Sequence, residues 1–220
     1  MQLPFSAEQF LEAFRAYNKA IGVAPALLIG LAIGLIILAY SAATWRHRAI
    51  TAGLAALWVW AGAVYHWGFF VRINPAARLF GALFLLQAIM LLFCLVRDRL
   101  RFAPRAAPAA WVGWSLIVYA LVAYPLLGLA AGHAYPDGPS FGAPCPTTVF
   151  FLGIMLWTSN ALPLSVIALP LVWAVIGTSA AVQLDIREDF GLAVAAILVV
   201  AHLIHRRLAP VVSPHKHVAR

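Results

Sequence analysis

Side chains that could bind a metal or a small ligand are few in this chain, and they fall in short polar stretches between long apolar runs. His66 lies in YHWGFF, His133 and Asp137 lie in HAYPDG, and Asp185 and Asp189 lie in DIRED. Imidazole, carboxylate and thiolate groups are suitable ligands for Zn²⁺ and Cu. The candidate residues of an outward-facing polar pocket are His66, Asn74, His133, Tyr135, Asp137, Cys145, Asp185 and Asp189.

One hypothesis is a metal site formed by His66, His133 and Asp185. The sequence has no HExxH or CxxC spacing among these groups, so the hypothesis depends on the fold bringing the three side chains together. The two histidines could instead be the axial ligands of a haem. Zinc and copper are therefore the first candidate cofactors, and haem is the second.

The positions of the lysines exclude retinal as a cofactor. Microbial rhodopsins also have seven spans, but they hold retinal on a lysine in the last span. The lysines of this chain are Lys19 and Lys216, and neither lies in an apolar run.

Transport of a small solute is a further alternative, because helix breaks at membrane depth mark transport sites. Asn160, Pro163 and Pro170 interrupt two of the apolar runs. However, no charged residue lies in the middle of an apolar run, and ion-coupled carriers usually need one.

The apolar runs that must position these side chains predict membrane-spanning helices. The chain is 64% hydrophobic and 10% charged, whereas soluble domains carry about 25% charged residues. A span needs about 20 mostly apolar residues. We predict an all-α integral membrane fold, a seven-transmembrane-helix bundle formed by one domain over residues 1–220. The predicted spans are 22–43, 50–71, 78–96, 109–131, 147–160, 163–183 and 190–206, followed by a cytoplasmic tail at 207–220. The fifth segment is short, so it either spans the membrane or re-enters it.

Residues 4–20 predict a short amphipathic helix before the first span. Ser6 and Gln9 have the spacing of a capping box, and Phe10, Phe14 and Tyr17 recur at helical spacing. Such a helix is typical of an anchor that lies in the membrane interface. The alternative is a lid over a site at the membrane surface.

The loops differ in charge, and this predicts the orientation. With seven spans, one side receives ten of the Lys and Arg residues and one acid, whereas the other side receives five Lys and Arg residues and six acids. The positive-inside rule then places the C-terminus in the cytoplasm and the N-terminus outside. Because the basic residues lie in these short loops, we expect membrane lipids as partners and no nucleic acid. Cys94 and Cys145 fall at opposite ends of the bundle, so we predict no disulfide between them.

Three stretches resemble an uncharacterised bacterial family of multi-pass inner-membrane proteins: LPFSAEQFLEAFRAYN, YHWGFFVRINPAARLFGALFLLQA and HAYPDGPSFGAPCPTTVFFLGIMLW. This resemblance implies a bacterial inner membrane and supplies no activity. The seven-span plan also resembles that of alkaline ceramidases, which are membrane-embedded zinc hydrolases. Their last span carries a histidine pair four residues apart, whereas His202 and His205 are three apart here.

These observations leave several functions open. The first is an outward-facing pocket that binds a small ligand or metal ion. The alternatives are a metal-dependent hydrolase at the outer leaflet, an accessory or structural subunit of a membrane complex, and a small-solute transporter. A homo-oligomer or a larger membrane complex is compatible with each of them.

Overall fold

The computed structural model describes residues 3–107 and 109–208, which form helices joined by short loops. A helix lies in each segment for which a span is predicted, and a further helix precedes them. In chain order the helices are α1 Ala7–Ile21, α2 Ala24–Tyr40, α3 Arg46–Arg72, α4 Ala77–Val96, α5 Ala110–Ala130, α6 Pro144–Met155, α7 Leu164–Leu184 and α8 Arg187–Leu208. Within the tail predicted at 207–220, residues 209–220 lie outside the described residues.

Five of these helices, α3, α4, α5, α7 and α8, are long and apolar enough to cross a membrane. A sixth span results if α1 and α2, which are bent by 83° at their junction, are counted together. In the most apolar stretch of each of the five, only 33–50% of the residues are buried inside the protein. Helices that leave so much apolar surface uncovered are compatible with a membrane protein, whose lipid covers that surface. Among the described residues there are thus five or six candidate spans by length and composition, and the prediction of seven spans stays a prediction.

Helix α6 occupies the centre of the bundle, and all twelve of its residues are buried. A helix that is apolar on every side is stable only where neighbours cover every side. Close approach to α5 is possible because Gly113 and Gly153 face each other. A Cβ atom added to Gly153 would lie 2.8 Å from the carbonyl oxygen of Gly113. At about 1.5 Å per residue, α6 is about 18 Å long, which is too short to cross the hydrocarbon layer alone.

The chain that follows α6 pairs with the loop between α4 and α5. The N–H of Ala103 donates to the carbonyl of Trp157 over 2.9 Å, and the N–H of Ser159 donates to the carbonyl of Arg101 over 2.9 Å. The side chain of Asn160 also bonds with this loop. The chain before α6, residues 131–143, instead bonds with α1 and with the start of α8. These contacts tie the two ends of α6 to different loops.

Helix α1 begins with the Ser6–Gln9 capping box. Its apolar face packs on the end of α3: the Phe14 and Tyr65 ring centroids are 5.1 Å apart, and those of Tyr17 and Phe69 are 5.5 Å apart. Gly22, at φ +56°, makes the turn into α2. An interfacial anchor would present this face to lipid. The protein covers it instead, which favours the alternative of a lid.

Candidate functional site

Two cavities lie at the end of the bundle that contains α1, the loop 131–143 and the start of α8. The first, which we call the aromatic cavity, has a volume of about 90 Å³. Its walls are mainly rings from α1, α3, α4 and α7, with a few polar groups between them. The rings belong to Phe5, Phe10, Phe14, Tyr65, Phe70, Phe80 and Trp173, and the polar groups to Asn74, Cys145, Ser179 and Asp189.

The aromatic cavity opens beside α7. Ser179 lines it and is exposed, and Ile176 and Ala180 beside it are half-buried. The neighbouring surface of α7 is apolar, since Val175 and Val182 are both exposed. An exposed apolar helix surface of this kind is compatible with contact to lipid. A molecule dissolved in the bilayer could therefore enter the cavity from the side.

Asp189 is the acidic group of the aromatic cavity, and it is buried. It lies in the first turn of α8, where the helix dipole stabilises a carboxylate. The hydroxyl of Tyr124 donates a hydrogen bond of 2.5 Å to its Oδ1. Trp173 supplies a donor to the same cavity, and its buried indole N–H has no hydrogen-bond partner among the described residues. Cys145, a free and buried thiol, lines the cavity beside them.

The second cavity, which we call the loop cavity, has a volume of about 190 Å³. Its walls come from α2, α5, the start of α8 and the loop 131–143. The side chains that matter for its chemistry are Tyr124, His133, Tyr135, Phe141 and Glu188. The ring of Tyr124 lines this cavity while its hydroxyl bonds to Asp189 of the aromatic cavity. Tyr124 therefore separates the two spaces.

Glu188 is the acidic group of the loop cavity, and its side chain is completely buried. Its Oε1 lies 3.2 Å from Nδ1 of His133. Its Oε2 is also buried, and no group in the described part of the chain hydrogen-bonds to it. A buried carboxyl oxygen without a donor is costly, so this atom marks a place where a ligand would be stabilised.

The loop 131–143 is held in place by Asn18 of α1. The amide nitrogen of Asn18 donates to the carbonyls of Pro136 (2.6 Å) and Gly138 (2.8 Å), and its Oδ1 accepts from the hydroxyl of Ser140 (2.7 Å). Asn18 itself is completely buried. These bonds satisfy backbone groups that an irregular loop would otherwise leave unpaired.

A second contact between α1 and the loop is the ion pair of Arg15 and Asp137. The Nε of Arg15 lies 2.6 Å from Oδ1 of Asp137, and both side chains are largely exposed. The hydrogen bond from Arg15 lowers the pKa of Asp137, and the positive charges of Arg15 and Lys19 act in the same direction. The pair is therefore ionised throughout the neutral range.

His66 lies in neither cavity wall. Its ring is buried between aromatic side chains, with centroids 4.8 Å from that of Phe84 and 5.0 Å from that of Trp173. Neither of its nitrogens has a hydrogen-bond partner in the described ranges. His66 therefore lies behind the wall of the aromatic cavity. His133 instead contacts Glu188 in the loop cavity.

The structure does not support the proposed metal ligands. Asp185 is exposed, and its carboxylate lies 3.3 Å from Nε of Arg187, while His66 and His133 have separate surroundings. Across residues 3–107 and 109–208 there is no group of three or more His, Cys, Asp or Glu residues that could hold a metal ion. Because the sequence has no metal-binding motif, the hypothesis depends on the fold bringing His66, His133 and Asp185 together. Helix packing instead gives the three residues different surroundings.

The single predicted pocket is thus divided between two cavities. Asn74, Cys145 and Asp189 line the aromatic cavity, and His133 and Tyr135 line the loop cavity. The remaining three candidates line neither cavity. His66 is buried behind the aromatic cavity, Asp137 pairs with Arg15, and Asp185 pairs with Arg187.

Several residues of the two cavities are not among the candidates, notably Asn18, Tyr124, Trp173 and Glu188. Two of them carry a signal in the sequence. Asn18 falls four residues after Phe14, on the apolar stripe of α1, where an amide needs a buried partner. Tyr124 lies within an apolar run and has a hydroxyl to satisfy. Glu188 stands between two other acids, and no local pattern shows which of the three is buried.

Two of the spanning helices contain π-helical segments that carry cavity residues. Tyr65 and His66 lie in the segment Trp60–Trp67 of α3, and Tyr124 directly follows the segment Tyr119–Ala123 of α5. A π turn inserts a residue relative to the α-helical period and shifts the direction of the side chains that follow it, and such turns are frequent at functional sites. The regular 3.6-residue pattern does not predict these directions.

Comparison with known proteins gives one match. The chain matches a family of unknown function, DUF6064, over residues 7–213. Because the match covers nearly the whole chain, the chain belongs to this family. No curated protein and no solved structure matches it. Membership of an uncharacterised family is therefore shown, whereas the resemblance to alkaline ceramidases stays an expectation.

Proposed function

We propose that this member of the DUF6064 family binds a small lipid-soluble ligand in the aromatic cavity, at the outer face of a bacterial inner membrane. One observation carries the proposal: a cavity walled by aromatic rings contains a buried acid and an indole N–H for which the described residues supply no partner, and it opens beside the exposed apolar side of α7. Apolar pockets with a few convergent polar groups are the usual form of small-molecule sites.

The polar groups indicate the chemistry of the ligand. Trp173 offers a hydrogen-bond donor, and Asp189 offers a carboxyl oxygen. A hydroxyl group can accept from the first and donate to the second. The ligand class is therefore a lipid-soluble alcohol or phenol whose hydroxyl end enters between Trp173 and Asp189.

The size of the cavity limits how much of the ligand it holds. A cavity of about 150 Å³ accommodates benzene, and the aromatic cavity has about 90 Å³. It therefore holds the head of the ligand. The apolar tail leaves past Ile176 and Ala180 and stays in the outer leaflet.

The orientation is part of the proposal. We assign seven crossings, with the N-terminus outside and the C-terminus in the cytoplasm. Two observations support this: the basic residues favour one set of loops, and the two ends of α6 contact different loops, 131–143 and 101–103. In this arrangement α6 completes its crossing with the residues that follow Met155, covered on all sides by the other helices.

The experiment is the identification of lipid-soluble compounds that co-purify with the protein. Protein purified in mild detergent is extracted with organic solvent, and the extract is analysed by mass spectrometry. The matched variants are Trp173→Phe, which keeps a ring and removes the N–H, and Trp111→Phe, which makes the same change at a tryptophan that is 86% exposed.

We expect one hydroxyl-bearing compound in the wild type and in Trp111→Phe. Its amount should fall roughly three- to tenfold in Trp173→Phe, because one hydrogen bond contributes about 0.5–1.5 kcal/mol. Equal amounts in all three proteins would contradict the site. Purification with a stoichiometric partner protein and no such compound would favour the accessory-subunit alternative instead.

A further inference from the structure

We infer that the loop cavity is a second binding site and that it takes a primary ammonium group. The ligand of the aromatic cavity does not reach it, because the ring of Tyr124 stands between the two spaces and is tied by its hydroxyl to Asp189. The two sites are therefore separate in space and in chemistry.

Glu188 is the observation that points to a ligand. Its side chain is completely buried, and only Oε1 has a neighbour, Nδ1 of His133 at 3.2 Å. Its Oε2 lacks a donor among residues 3–107 and 109–208. Burying a carboxyl oxygen without a hydrogen bond destabilises the protein. A ligand that brings an N–H group to Oε2 removes this cost.

The charges around the cavity select a cation. Glu188 is buried in the wall of this cavity, Asp189 is buried next to it on the other side of the Tyr124 ring, and His133 is the basic residue among the cavity walls. The nearest arginine in sequence, Arg187, is exposed and pairs with Asp185. The carboxyl groups thus outnumber their positive partners, so a cationic ligand complements the site.

The walls select an ammonium among cations. Rings of Tyr124, Tyr135 and Phe141 line the cavity, and aromatic faces attract ammonium groups. A hydrated metal ion would need more oxygen ligands than Glu188 supplies. A primary ammonium carries three N–H donors, one of which can bond to Oε2. A quaternary ammonium has none, so it would leave Oε2 unpaired.

Such a group has two sources at the outer face of a membrane: a free amine in water, and the ethanolamine headgroup of a phospholipid. Tyr135 at the rim is exposed, so the cavity is reached from the layer where both are found. The test therefore needs an arm for each source.

The first arm measures binding of ethanolamine and of tetramethylammonium to the full-length protein in phosphatidylcholine nanodiscs, by isothermal titration calorimetry. Both probes are about the size of benzene, and the cavity of about 190 Å³ has room for either. We expect ethanolamine to bind at least about tenfold more tightly than tetramethylammonium, because ethanolamine can donate to Oε2 and tetramethylammonium has no donor. Equal affinity for the two probes would overturn the assignment.

The second arm measures lipids retained by the protein from nanodiscs of equal phosphatidylethanolamine and phosphatidylcholine content, by native mass spectrometry. Selective retention of phosphatidylethanolamine identifies the headgroup as the source, and ethanolamine binding without it identifies the free amine. The inference is overturned if neither arm shows a preference for the primary ammonium.

Matched acid-to-amide variants locate the effect. Glu188→Gln removes the acid of the loop cavity and should abolish the preference. Asp185→Asn makes the same change at an exposed acid three residues earlier and should leave the preference within twofold of wild type. If Glu188→Gln does not fold, the difference in affinity between the two probes for the wild-type protein still tests the inference. Loss of the preference in Asp185→Asn alone would contradict the role of Glu188. The retention of a hydroxyl compound in the aromatic cavity is measured separately, so either site can fail without the other.

Discussion

At the scale of the residue, the chemistry of this protein depends on polar atoms that are buried in an apolar bundle. Asp189, Glu188 and Asn18 are all buried, and each is satisfied by a residue far away in the sequence: Tyr124, His133 and the loop 131–143. Only Oε1 of Glu188 is satisfied in this way, because no donor in the described part of the chain reaches its Oε2. In a low-dielectric interior a buried polar atom without a hydrogen-bond partner destabilises the fold. Removing one partner should therefore lower the free energy of unfolding by a measurable amount.

Replacing Tyr124 with phenylalanine tests this at one atom. The ring that separates the two cavities stays, but Asp189 loses the donor to its Oδ1 and keeps the hydrogen bond with the thiol of Cys145. We expect the free energy of unfolding in detergent to fall by about 1–3 kcal/mol, because a buried acceptor is left unpaired. The measurement is chemical denaturation followed by tryptophan fluorescence.

Tyr135→Phe is the matched control for that substitution. The hydroxyl of Tyr135 makes only long contacts, 3.3 and 3.4 Å, and its side chain is exposed. We expect a change below about 0.5 kcal/mol, as for surface substitutions. If Tyr124→Phe were no less stable than Tyr135→Phe, the bond to Asp189 would not hold the two cavities apart.

At the scale of the element, α1 is the part that covers the aromatic cavity. Its phenylalanines form one wall, and Cys145 lies in the same cavity. Two contacts hold it to the loop 131–143: the buried bonds of Asn18 and the exposed pair of Arg15 with Asp137. Exposed ion pairs contribute little to stability, so Asn18 should dominate.

Labelling of Cys145 by an apolar thiol reagent tests which contact holds α1. We expect Asn18→Ala to raise the labelling rate roughly tenfold. The substitution removes three hydrogen bonds that each contribute about 1 kcal/mol, and about half of that free energy would favour the state in which α1 has moved away from the cavity. Arg15→Ala should change the rate less than twofold. Cys94 lies outside the cavity and serves as the internal reference. A larger effect from Arg15→Ala would contradict this order.

The pH dependence of the same labelling follows from Asp137. Its pKa is lowered in the folded protein by the hydrogen bond from Arg15. Because the pKa of Asp137 is lowered, its carboxylate stays ionised and paired with Arg15 at any pH above the ordinary pKa of about 4. The ion pair is lost only when the pH falls through the lowered pKa of the folded protein. The ratio of labelling rates between Arg15→Ala and wild type should therefore be constant from pH 5 to pH 8.

At the scale of the whole molecule, the bundle has two ends of different character. One end holds both cavities, α1 and six of the seven acids, while the other holds the loop 97–105 and the arginines that end α8. In the proposed orientation the basic end lies in the cytoplasm, as the positive-inside rule predicts. Both proposed ligands would then reach the protein from outside or from the outer leaflet.

Reporter fusions test this orientation. A reporter that fluoresces only in the cytoplasm should be active after Arg220, within 97–105 and after Ser159, and inactive when inserted at Gly138. The fusion after Ser159 is the decisive one, because it separates a crossing α6 from a re-entrant one. Fluorescence at Gly138, or its loss after Ser159, would contradict the seven-crossing arrangement.

The sequence by itself determined the positions of the helices and the family. Long apolar runs bounded by charged or proline-rich stretches locate α2 to α8 within a few residues, because helix formation in an apolar solvent depends on local composition. The capping box of α1 is equally local, since Ser6 and Gln9 satisfy each other within one turn. The grouping of the candidate residues at one end also follows from the alternation of spans.

Only the tertiary structure decided which of these residues meet. Apolar periodicity shows that a position is covered, but it does not identify the covering residue: α1 is amphipathic whether lipid or Tyr65 and Phe69 cover it. The π turns in α3 and α5 shift side-chain directions in a way that the α-helical period does not predict. His66 and His133 are therefore separated, and Glu188 rather than Asp185 is buried, because hydrogen bonds between distant parts of the chain outweigh the local pattern.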